Sequence, residues 1–306
     1  MPLFTIDTVI HVLVVVMLPP LLLGVITKTK ALVAGRVGAP FFQPYYDLFK
    51  LLRKGTVYST TTGWVFRASP VVGIATAFLA SFLVPLGHHA APLSFAGDLI
   101  LFAYLFGLAR FFTVCAALDT GSAFEGMGAA REATFSSLAE PALFLGLLVL
   151  VKRSASLSLG TMLGSGLSAE WLGAGASLVL VLVSLFIVLL AENCRIPFDD
   201  PNTHLELTMI HEVMVLDHSG PAFGMILYGA AMKLFVLGAI IVRLALPFDT
   251  ANPWIDWGVF VGGMIALSVV IGMVESAMAR LRLNQVPSLL VAACLLSGFS
   301  IILLAR

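Results

Sequence analysis

Apolar residues fall along this chain in long, nearly unbroken runs separated by short polar segments. Eight such runs recur, at roughly 8–27, 68–87, 98–118, 133–152, 171–191, 222–246, 254–274 and 286–305. About 20 apolar residues in an α-helix cross the ~30 Å of bilayer hydrocarbon. A helix also satisfies its own backbone hydrogen bonds, as lipid requires. The pattern predicts an all-α, polytopic membrane helical bundle of about eight transmembrane helices, forming one integral membrane domain over residues 1–306. Composition agrees: 59% of the 306 residues are apolar and 11% are charged, against roughly 25% charged in a soluble domain.

The polar segments are not alike. The first, between spans one and two, holds Lys28, Lys30, Arg36, Lys50, Arg53, Lys54 and Arg67. With Arg131, Arg195, Arg280 and Arg282, the odd-numbered loops carry eleven basic residues, whereas the even-numbered loops carry Lys152, Arg153 and Arg243. Basic loops stay on the cytoplasmic side, so the asymmetry predicts a multi-pass protein of the cell inner membrane with both termini outside. Asp7 stands where a signal peptide would be basic, so the first run reads as a retained span. Within the first loop, APFFQPYYDLFKLLRKG (39–55) sets Phe42, Tyr45, Phe49 and Leu52 at helical spacing, with Asp47, Lys50, Arg53 and Lys54 among them. That is the pattern of a helix lying in the interface among membrane lipids. The serine- and glycine-rich stretch 154–170 reads as an ordinary external connection. A net charge of zero gives no case for nucleic-acid binding. Cys115, Cys194 and Cys294 are too dispersed for a metal or redox motif, and read as free thiols.

Charge inside the spans is the candidate chemistry. Spans three, four and six each hold one ionisable residue well inside: Arg110, Glu140 and Lys233. An intramembrane charge costs roughly 2.5–3.5 kcal/mol even on lenient scales, so such groups pair or line a wet cavity. One reading is an ion pair, Arg110 with Glu140, that pins two helices. The other is a proton-accessible chain leading from the inner face toward Lys233. The carboxylates Asp119, Glu125, Glu132, Glu192, Asp199, Asp200, Glu206, Glu212, Asp217 and Glu275 all fall on inward loops or helix ends. The stretch AENCRIPFDDPNTHLELTMIHE (191–212) concentrates them directly after twenty-one uncharged residues. Arg195 follows Glu192 by three residues, a pairing distance if the helix continues. Pro197 interrupts it; Asp199 or Asp200 suits an N-cap and Pro201 the first turn of a new helix. His204, Thr208 and His211 would share one face of that helix. A capped loop helix in water explains the stretch; so would a metal site of His204, Glu206, His211 and Glu212, although the spacing matches no recognised motif.

Several segments carry a family resemblance that covers nearly the whole chain. AENCRIPFDDP (191–201) is similar to the Ala-Glu-Thr-Asn-Arg-Ala-Pro-Phe-Asp signature of the eight-span quinone-site membrane subunit of respiratory complex I (subunit 1, or H-type). GAAREATFSSLAEP (128–141) keeps that family's Arg and Glu nine residues apart, here Arg131 and Glu140, and QPYYDLFKL (43–51) matches its helix between spans one and two. LARFFTVCAALDTGSAFEGMGAAREA (108–133), GWVFRASP (63–70), SAMARLRL (276–283) and Lys233 resemble the hydrogenase branch, that of formate hydrogenlyase subunit 4 and hydrogenase-4 component C. Where the family usually reads Glu-Ala-Glu-x-Glu-Leu after Pro201, this chain has Asn202-Thr203-His204-Leu205-Glu206-Leu207. Two carboxylates are gone and one histidine is added, which sets it apart from typical formate hydrogenlyase.

The resemblance implies a non-catalytic anchor and coupling subunit of a membrane-bound [NiFe]-hydrogenase or formate-hydrogenlyase-like oxidoreductase complex. Its expected partners are a hydrogenase-like large subunit, an iron–sulfur small subunit and antiporter-like membrane subunits. The [4Fe-4S] and [NiFe] centres would sit in those partners, with no cofactor and no metal bound by this chain. Glu140, Glu192, Arg110, Lys233, Arg131 and Glu206 would form the path linking electron transfer to proton or sodium translocation. Arg195, Asp199, Asp200, Asp47 and Lys50 would serve docking. The alternative is the quinone-binding membrane subunit of a complex I-type NADH dehydrogenase. An independent secondary transporter fits less well, because neither repeated halves nor broken helices are evident.

Overall fold

The computed structural model describes residues 6–164, 166–199, 209–247, 250 and 252–304. Its elements in chain order are α1 (Ile6–Val33), α2 (Gln43–Leu52), α3 (Trp64–Leu83), α4 (Asp98–Asp119), α5 (Ala123–Ser154), α6 (Leu159–Met162), α7 (Leu167–Glu192), a 3-10 turn (Glu212–Val215), α8 (Gly220–Ala245), α9 (Pro253–Ala277) and α10 (Val286–Leu303). Eight of these helices are long and apolar enough to cross a membrane, and no β-strand occurs among the described residues. The fold is the all-α bundle expected. The most deeply buried of the eight, α8, packs against α1, α3, α7 and α9, while α10 packs against α5 and α7.

The helix ends depart from the hydropathy runs for local reasons. The second run predicts a span over 68–87, yet α3 stops at Leu83. Val84, directly before Pro85, is extended, because a proline ring disfavours the helical region for the residue ahead of it. At the other end α3 reaches back to Trp64, where the Asp119 carboxylate accepts the Gly63 N–H at 2.5 Å. The fourth run predicts a span from 133, but α5 starts ten residues earlier at Ala123. The turn into it passes through Gly121 at φ +71°, a conformation that glycine adopts without strain.

The described parts of loops one, three, five and seven gather on one face, the basic face of the bundle. Lys30 of α1 meets Glu275 of α9 at 2.8 Å, and Arg131 donates to the Met209 carbonyl at 2.7 Å. The opposite face is closed by two charged locks. Asp98 is fully buried and accepts from the Ser158 hydroxyl at 2.9 Å and the Leu159 N–H at 2.7 Å. Arg243, also buried, donates from Nε to the Leu163 carbonyl at 2.7 Å and from Nη2 to that of Gly164 at 3.1 Å. Stretch 154–170 is therefore not an ordinary loose connection: its described part holds α6 and is tied down at both ends. Within the bundle, α7 and α10 are stitched by buried hydroxyls, with Ser177 and Ser300 Oγ atoms 2.5 Å apart and Ser297 donating to Ser184 at 2.8 Å.

Candidate functional site

The α4–α5 hairpin sets the geometry. Arg110 lies nine residues before the end of α4 and Glu132 nine residues after the start of α5, so the tight turn at Gly121 brings them level. Glu140 follows Glu132 by eight residues, two helical turns along the same face. Arg110 sits between them: its Nε is 3.2 Å from Glu132 Oε1, and its Nη1 donates to Glu140. The remaining amine, Nη2, donates to both oxygens of Glu192 at 2.6 Å. Lys233 Nζ, midway along α8, reaches Glu192 Oε2 at 2.6 Å and lies 5.9 Å from the centre of the Phe106 ring. Glu192 is the last residue of α7. A carboxylate at a helix C-terminus opposes the helix dipole, so it needs the two cations that face it.

Five charged side chains from four helices thus form one network. With all ionised, three carboxylates face two cations and the site carries one excess negative charge. Beside it lies a cavity of about 110 Å³, lined among others by Ser69, Thr76, Arg110, Glu192, His211 and Lys233, with room for several waters. Burial pushes the His211 imidazole below its usual range and the Cys194 thiol well above its own, so both are neutral. The network also has a lateral mouth. The Glu140 side chain is 45% exposed, against 4% for Glu192. Phe144 and Leu148, at successive i+4 positions beyond Glu140, are exposed on the same stripe.

Other expected site residues lie apart from this network. Arg131 is turned to the segment after α7, where it bonds the Met209 carbonyl. Arg195 does not pair with Glu192, because α7 ends at Glu192 and Cys194 takes φ +48°. The chain turns there, and Arg195 Nη1 reaches Glu275 at 3.4 Å instead. Asp199 is buried; it accepts from Arg280 Nη2 at 2.8 Å and from the Ile210 N–H at 2.9 Å. Asp47 accepts from Gln43 at 2.8 Å, while Lys50 is exposed. Asp200, His204, Glu206 and the helix expected after Pro201 lie outside the described residues, as does part of the metal set with His211 and Glu212. Among the described residues no cluster of three or more metal-ligating side chains is present. Sequence reasoning placed Glu132 only among the acids of the inner face; its spacing of eight from Glu140 was the signal that it shares Arg110. Glu275, joined to both Lys30 and Arg195, left no local signal.

An eight-span apolar bundle with a network of charged side chains set between four of its helices defines a polytopic membrane protein. The chain belongs to the family described as NADH dehydrogenase, which matches residues 6–305. It is 33% identical over 285 residues to formate hydrogenlyase subunit 4 of Escherichia coli K12, covering 91% of each chain. To hydrogenase-4 component C of the same organism it is 34% identical over 239 residues, 78% of this chain and 74% of that one. The H-type subunit of NADH-quinone oxidoreductase from Burkholderia vietnamiensis is 26% identical over 268 residues, 82% of this chain and 74% of the relative. The fold matches a chain of an archaeal respiratory membrane complex, the membrane-bound sulfane sulfur reductase. The TM-score is 0.80 at 21% identity, covering 96% of this chain and 98% of that one.

Proposed function

We propose that this chain is the membrane anchor and coupling subunit of a [NiFe]-hydrogenase or formate-hydrogenlyase-like complex, seated in the inner membrane with its basic face toward the cytoplasm. In this reading the basic face docks a hydrogenase-like large subunit and an iron–sulfur small subunit, which hold the [NiFe] and [4Fe-4S] centres. The charged network passes the effect of electron transfer sideways, as proton or sodium movement, to antiporter-like membrane subunits. The identities of 33–34% to the hydrogenase-type relatives, against 26% to the complex I-type one, favour the hydrogenase reading.

The observation that carries the coupling reading is the exposure of Glu140. A carboxylate in the middle of an apolar helix does not face hydrocarbon without a partner or water. Glu140 has Arg110 as its partner, yet its side chain stays 45% exposed beside the exposed apolar Phe144 and Leu148; a second membrane subunit packed on that stripe would keep the carboxylate out of lipid and receive the network's open end. Docking would use the exposed first-loop residues such as Lys50. Arg195 and Asp199, tied within the chain, would instead hold the docking segment in shape.

Purification of the native complex through a tag on this chain tests the assignment. The expected result is co-purification of a nickel-containing large subunit, an iron–sulfur subunit and at least one further multi-span subunit. A nickel-free complex that oxidises NADH with a quinone would overturn it.

A further inference from the structure

The face opposite the basic one carries a group of buried nitrogens that the charged network does not use. His11, in the first turns of α1, is 1% exposed. His89 stands in the segment between α3 and α4, with its side chain 9% exposed. Its ring stacks on the Trp257 indole of α9, 4.2 Å between centroids and 14° between planes. His11 Nδ1, His89 Nε2 and Trp257 Nε1 are all buried without a hydrogen-bond partner among the described residues. The two imidazoles lie within electrostatic reach of each other.

Hydrogen bonding fixes where the ring hydrogens sit. His11 Nε2 lies 3.0 Å from the Ser81 carbonyl oxygen. A carbonyl only accepts, so Nε2 carries the hydrogen, and a neutral imidazole has one. His11 Nδ1 is therefore a lone pair. His89 Nδ1 lies 3.4 Å from Asp7 Oδ1, and an ionised carboxylate also only accepts. The same reasoning leaves His89 Nε2 a lone pair. With both rings neutral, two buried acceptors stand without a donor, and a buried polar group without a partner is costly.

One added proton removes that conflict. On His89 it makes a cation flanked by the Asp7 carboxylate and the face of the Trp257 indole, both of which favour positive charge. It also turns Nε2 into a donor, which His11 Nδ1 can accept as the two rings close. A second proton would set two coupled cations side by side. Other charges of this face are engaged elsewhere. Asp256 accepts from the Thr250 N–H and hydroxyl, Asp98 holds Ser158 and Leu159, and Arg243 holds Leu163 and Gly164 and meets His88 Nδ1 at 3.2 Å.

We propose that His11 and His89 form a binding site for a single proton, and that the loaded site latches α1, the segment after α3 and α9 together. Asp7 and His11 lie one helical turn apart on α1, so one imidazolium can serve both. The latch lets acid on this side of the bundle act on the subunit, and it does not rest on the hydrogenase reading.

The test uses the full-length chain in nanodiscs, with nitrogen-labelled histidine rings followed by NMR from about pH 8 to about pH 5. His89 should become the imidazolium as pH falls, while His11 stays neutral with its hydrogen on Nε2. His11→Phe keeps a ring against Phe82 and removes the acceptor. His89 should then need roughly tenfold more acid, the worth of a hydrogen bond to a charged group. Asp7→Asn, altered at an exposed side chain, should act in the same direction. A nitroxide at the exposed Ala90, in a chain whose cysteines are replaced by serine, should lose mobility over the same interval and keep it in His89→Gln. His89 still neutral at about pH 5, or titrating unchanged in His11→Phe, would overturn the proposal. So would a nitroxide equally mobile at both ends of the interval.

Discussion

Replacing Glu192 by glutamine removes one charge and changes almost no volume, yet the structure makes it the costliest neutralisation in the network. Glu192 is the carboxylate shared by Arg110 and Lys233, and its side chain is 4% exposed. Arg110 keeps Glu132 and Glu140 after the change, but Lys233 loses its one carboxylate partner among the described residues. Breaking a buried pair by removing one partner costs roughly 3–5 kcal/mol, because the other charge stays buried and uncompensated. Glu140→Gln differs: Arg110 retains two carboxylates and the amide oxygen still accepts its hydrogen bond, so no charge is left unpaired and the cost falls to about 1 kcal/mol, the net worth of one hydrogen bond. The assay is thermal unfolding of the purified chain in nanodiscs, with Glu192→Gln, Glu140→Gln, Lys233→Met and the double variant Glu192→Gln/Lys233→Met. At about 2 °C per kcal/mol for a large domain, Glu192→Gln should lower the midpoint by roughly 6–10 °C and Glu140→Gln by no more than about 2 °C. The double variant should recover much of the loss, since no lone ammonium remains; residues in direct contact couple by roughly 0.5–3 kcal/mol. Equal losses for the two glutamate variants, or no recovery in the double variant, would refute the assignment of Glu192 as the shared counterion.

Three further perturbations address the frame around the network. Asp98→Ala removes the acceptor of Ser158 and Leu159 and should cost about 2–3 kcal/mol, with proteolysis appearing first in 154–166; unchanged stability would deny the lock. Gly24→Ala would place a Cβ 2.0 Å from the Phe41 carbonyl oxygen, so the variant should lose the seating of the first loop, read as increased labelling of a cysteine placed at Phe41. His218, stacked on Phe66 at 3.8 Å between ring centroids, is held neutral by burial, from 6.5 down to about 4. A histidine with a lowered folded value contributes stability that is complete above its unfolded value and lost as pH falls toward the folded one, so acidification from pH 7 to 5 should cost on the order of 2 kcal/mol. His218→Gln should flatten that part of the pH–stability curve, and an unchanged slope would place the acid sensitivity elsewhere.

The bundle was legible because eight uncharged runs leave few alternatives once each must satisfy its own backbone in lipid. What hydropathy missed were the ends, since Leu86 is as apolar as its neighbours but Pro85 has already stopped α3. Arg110, Glu140 and Lys233 stood out as charges in apolar runs. Their connection through Glu192 did not, because it depends on where α7 stops and on which helices surround it. The expected Glu192–Arg195 contact assumed a continuing helix; the turn at Cys194 sends Arg195 to Glu275 across 80 positions. Arg243 read as a loop charge, and Asp98, the first residue of the third run, gave no signal of its own, because their partners at Ser158, Leu159, Leu163 and Gly164 are set by tertiary packing. Asp200, His204 and Glu206 lie outside the described residues.

The central claim is that Glu140 carries the ion-coupled signal out of this subunit, and one measurement bears on it directly. The complex isolated through this chain is reconstituted into proteoliposomes with Glu140→Gln in place, a substitution that the packing tolerates because glutamine still accepts a hydrogen bond from Arg110. Electron transfer between artificial donors and acceptors should continue at close to the normal rate, while ion translocation driven by that transfer disappears. Translocation at the unmodified level from the same vesicles would contradict the account.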